Sequence, residues 1–488
     1  MMFWQLLHAE WTKFRTVRGW VIGMLAAVLV TVLVGLLGPT SSSFSCAGPS
    51  GQACTLADHT PPLGPDGEAV SDGFYFVRQP LTGDGSITAR LTSLTGTVQP
   101  WSKVGVIIKA STRQGSAYAA VVGTGSHGVR MQYDYTHDTA GDPAARWFRL
   151  TRSGDTVTGY DSVDGTHWHQ ISSATPAGLP ATVQAGLLAT SPEFTVASQS
   201  LGRTNGSGGP TLATGTFDNV ALTGSGGTWI GGNVAGQGPG GGPGSGFRQS
   251  GGTFTVSGSG DIAPAVPAKG GLDKTIENGL IGVFAGLIAV IIVATMFITT
   301  EYRRGLIRTT LAASPRRGGV LAAKAVVVGV VTFVAGLVAA AIAVPLVEHL
   351  EHGKGFYVYT VTPLTELRVV LGTAALLAVA AVLALAVGTV LRRGAGAVAA
   401  VIVAIVLPYV LTIAPVLPPA AAEWLARLTP AAAFAIQQSV PQYVQVTASY
   451  TPANGYFPLA PWAGFAVLCG YTVVALGVAM LVLRRRDA

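Results

Sequence analysis

Hydrophobic and polar positions follow three different rhythms along this chain. Six long apolar runs stand at roughly 19–38, 278–300, 320–347, 368–391, 394–416 and 461–483. Each has the length of about 20 residues that a helix needs to cross the hydrocarbon core. Between the first two runs, from about 70 to 222, the rhythm shortens to period two. In "WSKVGVIIKAS", Val104, Val106 and Ile108 point one way while Lys103, Gly105, Ile107 and Lys109 point the other. In "RWFRLTRSGDTVTGYDSVDGTHWHQI", Trp147, Arg149 and Thr151 alternate with Phe148, Leu150 and Arg152, and Ser153-Gly154-Asp155 and Asp164-Gly165 are hairpin-turn signals. "GTFDNVAL" (215–222) reads as a closing strand. From 202 to 260 the chain turns to Gly, Ser and Pro, the composition of a flexible tether, with "GGTFTVSGSGDIA" (251–263) reading equally well as an edge strand or as a tail. These rhythms predict six transmembrane helices and an all-β sandwich inserted between spans one and two.

Before the first span, Phe3, Leu6, Leu7, Glu10, Trp11 and Phe14 recur at helical spacing, and all but Glu10 are apolar. Lys13, Arg15 and Arg18 follow. This predicts a helix lying in the membrane plane. The first span is long for a signal peptide and no A-x-A-like cleavage site follows, so it reads as an uncleaved anchor.

Composition agrees with a membrane protein: of 488 residues 49% are hydrophobic and 11% charged, where a soluble chain carries about 25% charged residues. The net charge of +7 would suit a nucleic-acid binder, but the basic residues sit beside the apolar runs, where topology explains them. They crowd before span one, in 301–319 (Arg303, Arg304, Arg308, Arg316, Arg317), at Arg392-Arg393 and at Arg484–Arg486. The other connections are poor in them. Both termini are therefore expected in the cytoplasm of a multi-pass plasma-membrane protein, with 39–277 outside. Cys46 and Cys54 fall in that outside segment, where a disulfide is the expectation and two free thiols the alternative.

Catalytic chemistry is sparse. No G-x-x-x-x-G-K-[ST] stretch exists, so this chain does not hold ATP in a P-loop. Neither H-E-x-x-H nor paired C-x-x-C occurs, and no metal or other cofactor is called for. His167 and His169 read as exposed strand residues, and "YDYTHDTAGD" (133–142) as an acidic loop that could offer oxygens to calcium. Between 40 and 270 the only glutamates are Glu68 and Glu193, a poor supply for a glycosidase. No span carries a carboxylate or histidine near its centre, which argues against a proton-coupled carrier. Lys324, close to the end of span three, is expected to snorkel.

Two resemblances cover most of the chain. "WSKVGVIIKAS", "WFRLTRSGDTVTGYDSVDGTHW", "AGLLATS" and "FDNVAL" together resemble the concanavalin-A-like, laminin-G-type jelly-roll sandwich over 70–222, whose members often bind glycans and also serve as spacers. "TTEYRRGLIRTTLAASPRRGGVLAAK" resembles the first cytoplasmic loop of ATP-binding-cassette permeases of the type-2 exporter class, and "LLHAEWTKFRTVRGW" resembles their amphipathic N-terminal segment. "EWLARLTPAAAFAIQQS" is similar to the re-entrant external segment of that family, placed here at 417–445. The resemblance implies a transport subunit rather than an enzyme. It would be energised by a separate ATPase, paired with a second permease copy, and in contact with membrane lipid. The loop would dock as a short coupling helix through Glu301, Arg304, Gly305, Arg308, Leu311, Ser314, Pro315 and Arg317, with Glu10, Trp11 and Lys13 adding an N-terminal interface. The implied division is 1–38 for the amphipathic helix and span one, 39–69 for a linker, 70–222 for the sandwich, 223–274 for the tether and 275–488 for spans two to six. A membrane-anchored glycan-binding or sensor protein is the alternative.

Overall fold

The computed structural model describes residues 3–41, 60–200, 203–224, 227–234, 244–267, 274–305, 317–414, 416–448 and 450–485. Cys46 and Cys54 lie outside them, as do Arg308, Leu311, Ser314 and Pro315.

Six helices have the length and apolarity to cross a membrane: Arg18–Gly38, Ile276–Arg303, Arg317–Gly353, Pro363–Leu391, Gly394–Ile413 and Pro461–Arg485. The elements behind them are α2 (Arg18–Ser41), α3 (Val283–Arg303), α4 (Arg317–Gly353), α5 (Pro363–Leu391), α6 (Gly394–Ile413) and α8 (Pro461–Arg485), preceded by α1 (Phe3–Thr16). The short α7 (Pro419–Leu428) sits between α6 and α8. Small residues let the spans approach closely, as packing inside lipid requires. A Cβ on Gly282 would stand 1.9 Å from Thr31 O, and one on Gly388 2.9 Å from Ile298 Cγ2, so α2–α3 and α5–α3 close only because these positions lack one.

After α7 the chain turns back as a 3-10 helix, Pro430–Gln437, whose eight residues are all buried. Phe434 stacks on Phe284 at 4.7 Å and contacts Tyr409 at 4.4 Å. The segment thus fills the bundle between α5, α6 and α8 at the end that carries the sandwich.

The sandwich has two seven-stranded sheets. One runs, in hydrogen-bonded order, His169–Ala174, Thr156–Ser162, Trp147–Ser153, Gly85–Gly96, Ala213–Thr223, Thr253–Gly258 and Gly246–Ser250. The other runs Ile230–Asn233, Tyr75–Thr82, Thr182–Thr190, Lys103–Lys109, Tyr118–Thr124, Val129–Tyr133 and His137–Ala140. Every pairing within them is antiparallel. Val104, Val106, Ile108, Phe148, Leu150 and Phe217 meet between the sheets, as their period-two spacing requires.

Three expectations are corrected here. Residues 223–274 are not simply a tether: strands at Ile230–Asn233, Gly246–Ser250, Thr253–Gly258 and Ile262–Pro264 come from this stretch. Phe254 and Val256, two residues apart, bury into the core and hold 253–258 in the sheet despite its glycine-rich surroundings. Consequently Ala213–Thr223 is a central strand, flanked by Gly85–Gly96 and Thr253–Gly258, rather than the closing one. His167, moreover, lies in the turn before the strand His169–Ala174, although both histidines are exposed.

The second sheet is buried on both faces. Its outer side carries Phe74, Phe76, Ile107, Tyr118 and Leu188, covered by Val70 and Ile262 of a two-stranded pair, Val70–Asp72 with Ile262–Pro264. Lys103 and Lys109 point into this layer with no exposure. Lys103 Nζ donates to Asp261 Oδ1 at 2.8 Å and to Ile262 O at 2.6 Å. Lys109 Nζ donates to Asp72 Oδ2 at 2.8 Å, which also accepts from the Tyr135 hydroxyl at 2.7 Å. Burial pulls the Lys109 ammonium down and Asp72 only partly offsets it; burial, then Asp72, pushes the Tyr135 phenol up. The face is filled by the chain's own side chains and charge pairs.

The acidic stretch 133–142 is likewise structural. Asp134 accepts from Tyr118 N and Ala177 N, and Asp138 from Arg130 and Gln132. Among the described residues no group of three His, Cys, Asp or Glu side chains could hold a metal ion.

The sandwich is seated on the bundle. Ala69, Tyr359 and Val440 form a buried cluster with Ala265, Tyr357 and Tyr443 against it. Gln445 Nε2 donates to Tyr135 O at 3.1 Å and Thr136 O at 3.2 Å, and Thr360 Oγ1 to Gly67 O at 3.0 Å.

Candidate functional site

The opposite end of the bundle collects the charged residues that the sequence singles out. On α1, Leu6, Glu10 and Phe14 are buried, each four residues after the last and so on one helical face. Leu6 packs on Val320 and Ala323 of α4, and Phe14 on Phe297 of α3 at 5.6 Å between ring centroids. The face between them presents a carboxylate, which must be paired to be buried.

Its partner is Lys324. The ammonium of Lys324 lies 2.6 Å from Glu10 Oε2 and 2.7 Å from Glu301 Oε1. Lys13 Nζ closes the figure at 3.0 Å from Glu10 Oε1 and 3.4 Å from Glu301 Oε1. Two ammonium groups and two carboxylates thus form a ring that ties α1, α3 and α4 together. Phe297 lies 4.8 Å beneath the Lys324 ammonium, a cation–π contact from the apolar side. Burial alone would pull Lys13 down, but Glu301 and then Glu10 more than offset it, and its ammonium ends above the ordinary lysine value.

One expectation fails at this point. Lys324 does not snorkel: it has no exposure, because two carboxylates meet it inside the protein. Glu10 is 2% exposed, and its oxygens face Lys13 and Lys324. Trp11, 42% exposed, points outward; with Trp4, Leu7 and His8 it lines an apolar groove against Val326, Val327 and Val330.

The ring sits at the root of the loop that the sequence marks. Glu301 is in the last turn of α3, which ends through Arg304 and Gly305, the latter at φ +68 where glycine carries no strain. Loop residues 306–316 lie outside the described set. On the far side, Arg317 opens α4 and its Nη1 donates to Leu483 O at 2.8 Å, capping the last turn of α8 with a cation. Tyr302 stacks under the Arg392 guanidinium at 5.0 Å, joining α3 to the α5–α6 turn. Both feet of the loop are therefore fixed to the helix ends around them. Glu301 Oε2 remains buried with no hydrogen-bond partner among the described residues.

Of the sequence-marked residues, the fold brings together Glu10, Lys13 and Glu301, and adds Lys324. Arg317 serves α8, and Arg304 and Gly305 form an exposed turn. The signal for Lys324 was present: a carboxylate on the apolar stripe of α1 and another at the end of α3 both need a cation.

Comparison with solved structures gives only remote likenesses. A functionally unknown protein from Saccharomyces cerevisiae is 12% identical over 38% of this chain and 84% of that one, with a TM-score of 0.19. SCP-B, an eqolisin-family peptidase solved with the tripeptide Ala-Ile-His, is 9% identical over 40% of this chain and 100% of that one, TM-score 0.23. Scytalido-glutamic peptidase with a transition state analog inhibitor is 10% identical over 40% and 100%, TM-score 0.25. Scores this low carry no weight. No curated protein matches the chain. The model of the family described as ABC-2 family transporter protein, by contrast, matches residues 108–488, which takes in most of the sandwich and spans two to six. With six spans and well over half its length matched, the chain belongs to the ABC-2 family of transporter proteins and is a membrane permease component of an ABC transporter, a transport subunit rather than an enzyme.

Proposed function

We propose that this permease is the membrane half of an ATP-driven exporter, energised by a separate ATPase subunit that docks on the 306–316 loop. Both termini and that loop lie in the cytoplasm in this reading, and the sandwich lies outside. A second permease copy completes the pathway. The supporting observation is the ring of Glu10, Lys13, Glu301 and Lys324, which fastens the interfacial helix α1 to the root of the loop. A push on the loop is then delivered to α1, α3 and α4 together rather than dissipated in a free connection. Arg317 extends the path to α8 and Tyr302–Arg392 extends it to α5 and α6.

The loop composition suits a docking element. Thr309-Thr310-Leu311-Ala312-Ala313 can form one helical turn, and Ser314-Pro315 stops it because the residue before proline avoids the α region. Its arginines complement an acidic cleft and steer the encounter. Within this division of labour, 1–38 and 275–488 carry transport and the sandwich governs the far end. The test is purification of the full-length chain from mild detergent. Recovery of a P-loop ATPase in stoichiometric amount supports the reading; a chain that carries no ATPase under conditions that keep it dimeric overturns it.

A further inference from the structure

At the sandwich end of the bundle a cleft of about 430 Å³ opens between the first turns of α5, the 438–442 segment and residues 457–461 leading into α8. That volume is within the range of sites for small ligands, about 300–1,000 Å³. Val440, Phe457, Pro458 and Leu459 give it apolar walls beside the polar Gln438, Ser439 and Gln442, and Arg368 is the charged residue of the lining. Arg368 Nη2 donates to Gln438 O, but its Nε is buried and meets no hydrogen-bond partner among the described residues. Glu277 acts on Arg368 electrostatically, yet its carboxylate accepts from Ser439. A ligand in the cleft meets the guanidinium through the part that lines it. A guanidinium presents its donors as a planar fork that suits phosphate oxygens.

Two neighbours narrow the ligand further. The first turn of α5, capped by Thr362 accepting from Thr365 N, brings the positive end of a 29-residue helix to the same rim. Leu364, Leu367 and Trp462 stand 79%, 54% and 61% exposed beside the cleft, on two spanning helices. Exposed leucine and tryptophan at the end of a span face the boundary between acyl chains and headgroups. We propose that this cleft binds the anionic headgroup of a phospholipid, its phosphate on Arg368 and its acyl chains along Leu364, Leu367 and Trp462. The site is independent of the ATPase end and goes beyond the transport reading above.

The experiment compares full-length protein in nanodiscs of phosphatidylglycerol and of phosphatidylcholine. It measures lipid retained after mild delipidation by native mass spectrometry, and thermal unfolding alongside. Wild type retains phosphatidylglycerol and is stabilised by it over phosphatidylcholine. Arg368→Gln lowers retention about tenfold, the equivalent of about 1.4 kcal/mol. Arg368→Lys, which keeps the charge but loses the fork, falls between. Thr365→Trp fills the cleft mouth with Arg368 intact and abolishes the preference as well; it decides the matter if Arg368→Gln does not fold. Equal retention by wild type and Thr365→Trp overturns the proposal. So does full stabilisation of delipidated protein by inorganic phosphate, which assigns the site to a soluble anion.

Discussion

Lys324 Nζ on α4 lies 2.6 Å from Glu10 Oε2 on α1, 314 positions earlier in the chain, and both side chains are buried. A buried pair of this kind adds little net stability compared with apolar packing, because desolvation offsets the attraction. Its consequence is positional: α1 can rest on the bundle only where Glu10 reaches Lys324 and Glu301 completes the ring.

Lys324→Met leaves two buried carboxylates with only the half-exposed Lys13. The loss is expected to be about 3–5 kcal/mol, the usual cost of stranding a buried charge. The triple variant Glu10→Gln, Glu301→Gln, Lys324→Met removes the three buried charges together, leaves the half-exposed Lys13, and recovers most of it. Unfolding in detergent measures both. A single variant as stable as wild type would mean that the ring does not exist as described.

The sandwich layer should respond in the same way. Asp72 Oδ2 accepts from Lys109 Nζ, the Tyr135 hydroxyl and Gly115 N, and neither Asp72 nor Lys109 side chain is exposed. Asp72→Asn strands the ammonium, with an expected cost of about 3–5 kcal/mol. Tryptophan fluorescence during denaturation reads it. A sandwich whose outer face is open to ligand would instead tolerate the change.

Glu68, at the junction of sandwich and bundle, gives a pH dependence. Burial, reinforced by the charges of Asp66 and Asp134, raises its carboxyl above the ordinary 4.5, and Glu68 Oε1 is buried with no partner among the described residues. The native state therefore binds a proton more readily than the unfolded chain. Stability from this group is greatest at low pH and falls as pH rises through 4.5 to the raised value. Glu68→Gln should raise the unfolding temperature at neutral pH, and the gain should vanish below pH 4.5. A gain that persists in acid would contradict the sign.

Gln445→Ala removes the two hydrogen bonds that the bundle makes to Tyr135 O and Thr136 O. At about 1 kcal/mol each, the contact loosens by roughly tenfold or more. Hydrogen exchange should quicken at 440–448 and 134–137 while the sandwich core stays protected. Unchanged exchange at both segments would show that the sandwich is not held there.

The sequence was most legible where one period repeats over many residues. Six apolar runs and the alternation of Val104, Val106 and Ile108 needed no tertiary information. The strands of 230–250 were hidden because glycine dominates them, whereas 251–263 could be read as a strand or a tail, and the burial of Phe254 and Val256 decides for the strand. Lys103 and Lys109 were placed on the opposite side from the valines, but that this side is buried depends on Asp261 and Asp72 arriving from distant segments. Lys324 looked like a snorkelling lysine for the same reason: its partners come from α1 and from the end of α3. Of the candidate site, Glu10, Lys13 and Glu301 were visible individually, and only the fold shows that they share a cation.

The central claim is that the loop between α3 and α4 receives the ATPase, and Leu311→Asp tests it most directly. Leu311 is the apolar residue best suited to enter a partner cleft, and a charge left there without a partner costs a few kcal/mol, about 2 or more. The variant should insert normally, since the change lies between spans. ATPase co-purification and stimulated ATP turnover should both fall at least about tenfold, the effect of about 1.4 kcal/mol. Arg316→Gln should do less, because a peripheral charge mainly steers association. A Leu311→Asp permease that inserts, binds the ATPase and stimulates it like wild type would contradict the account.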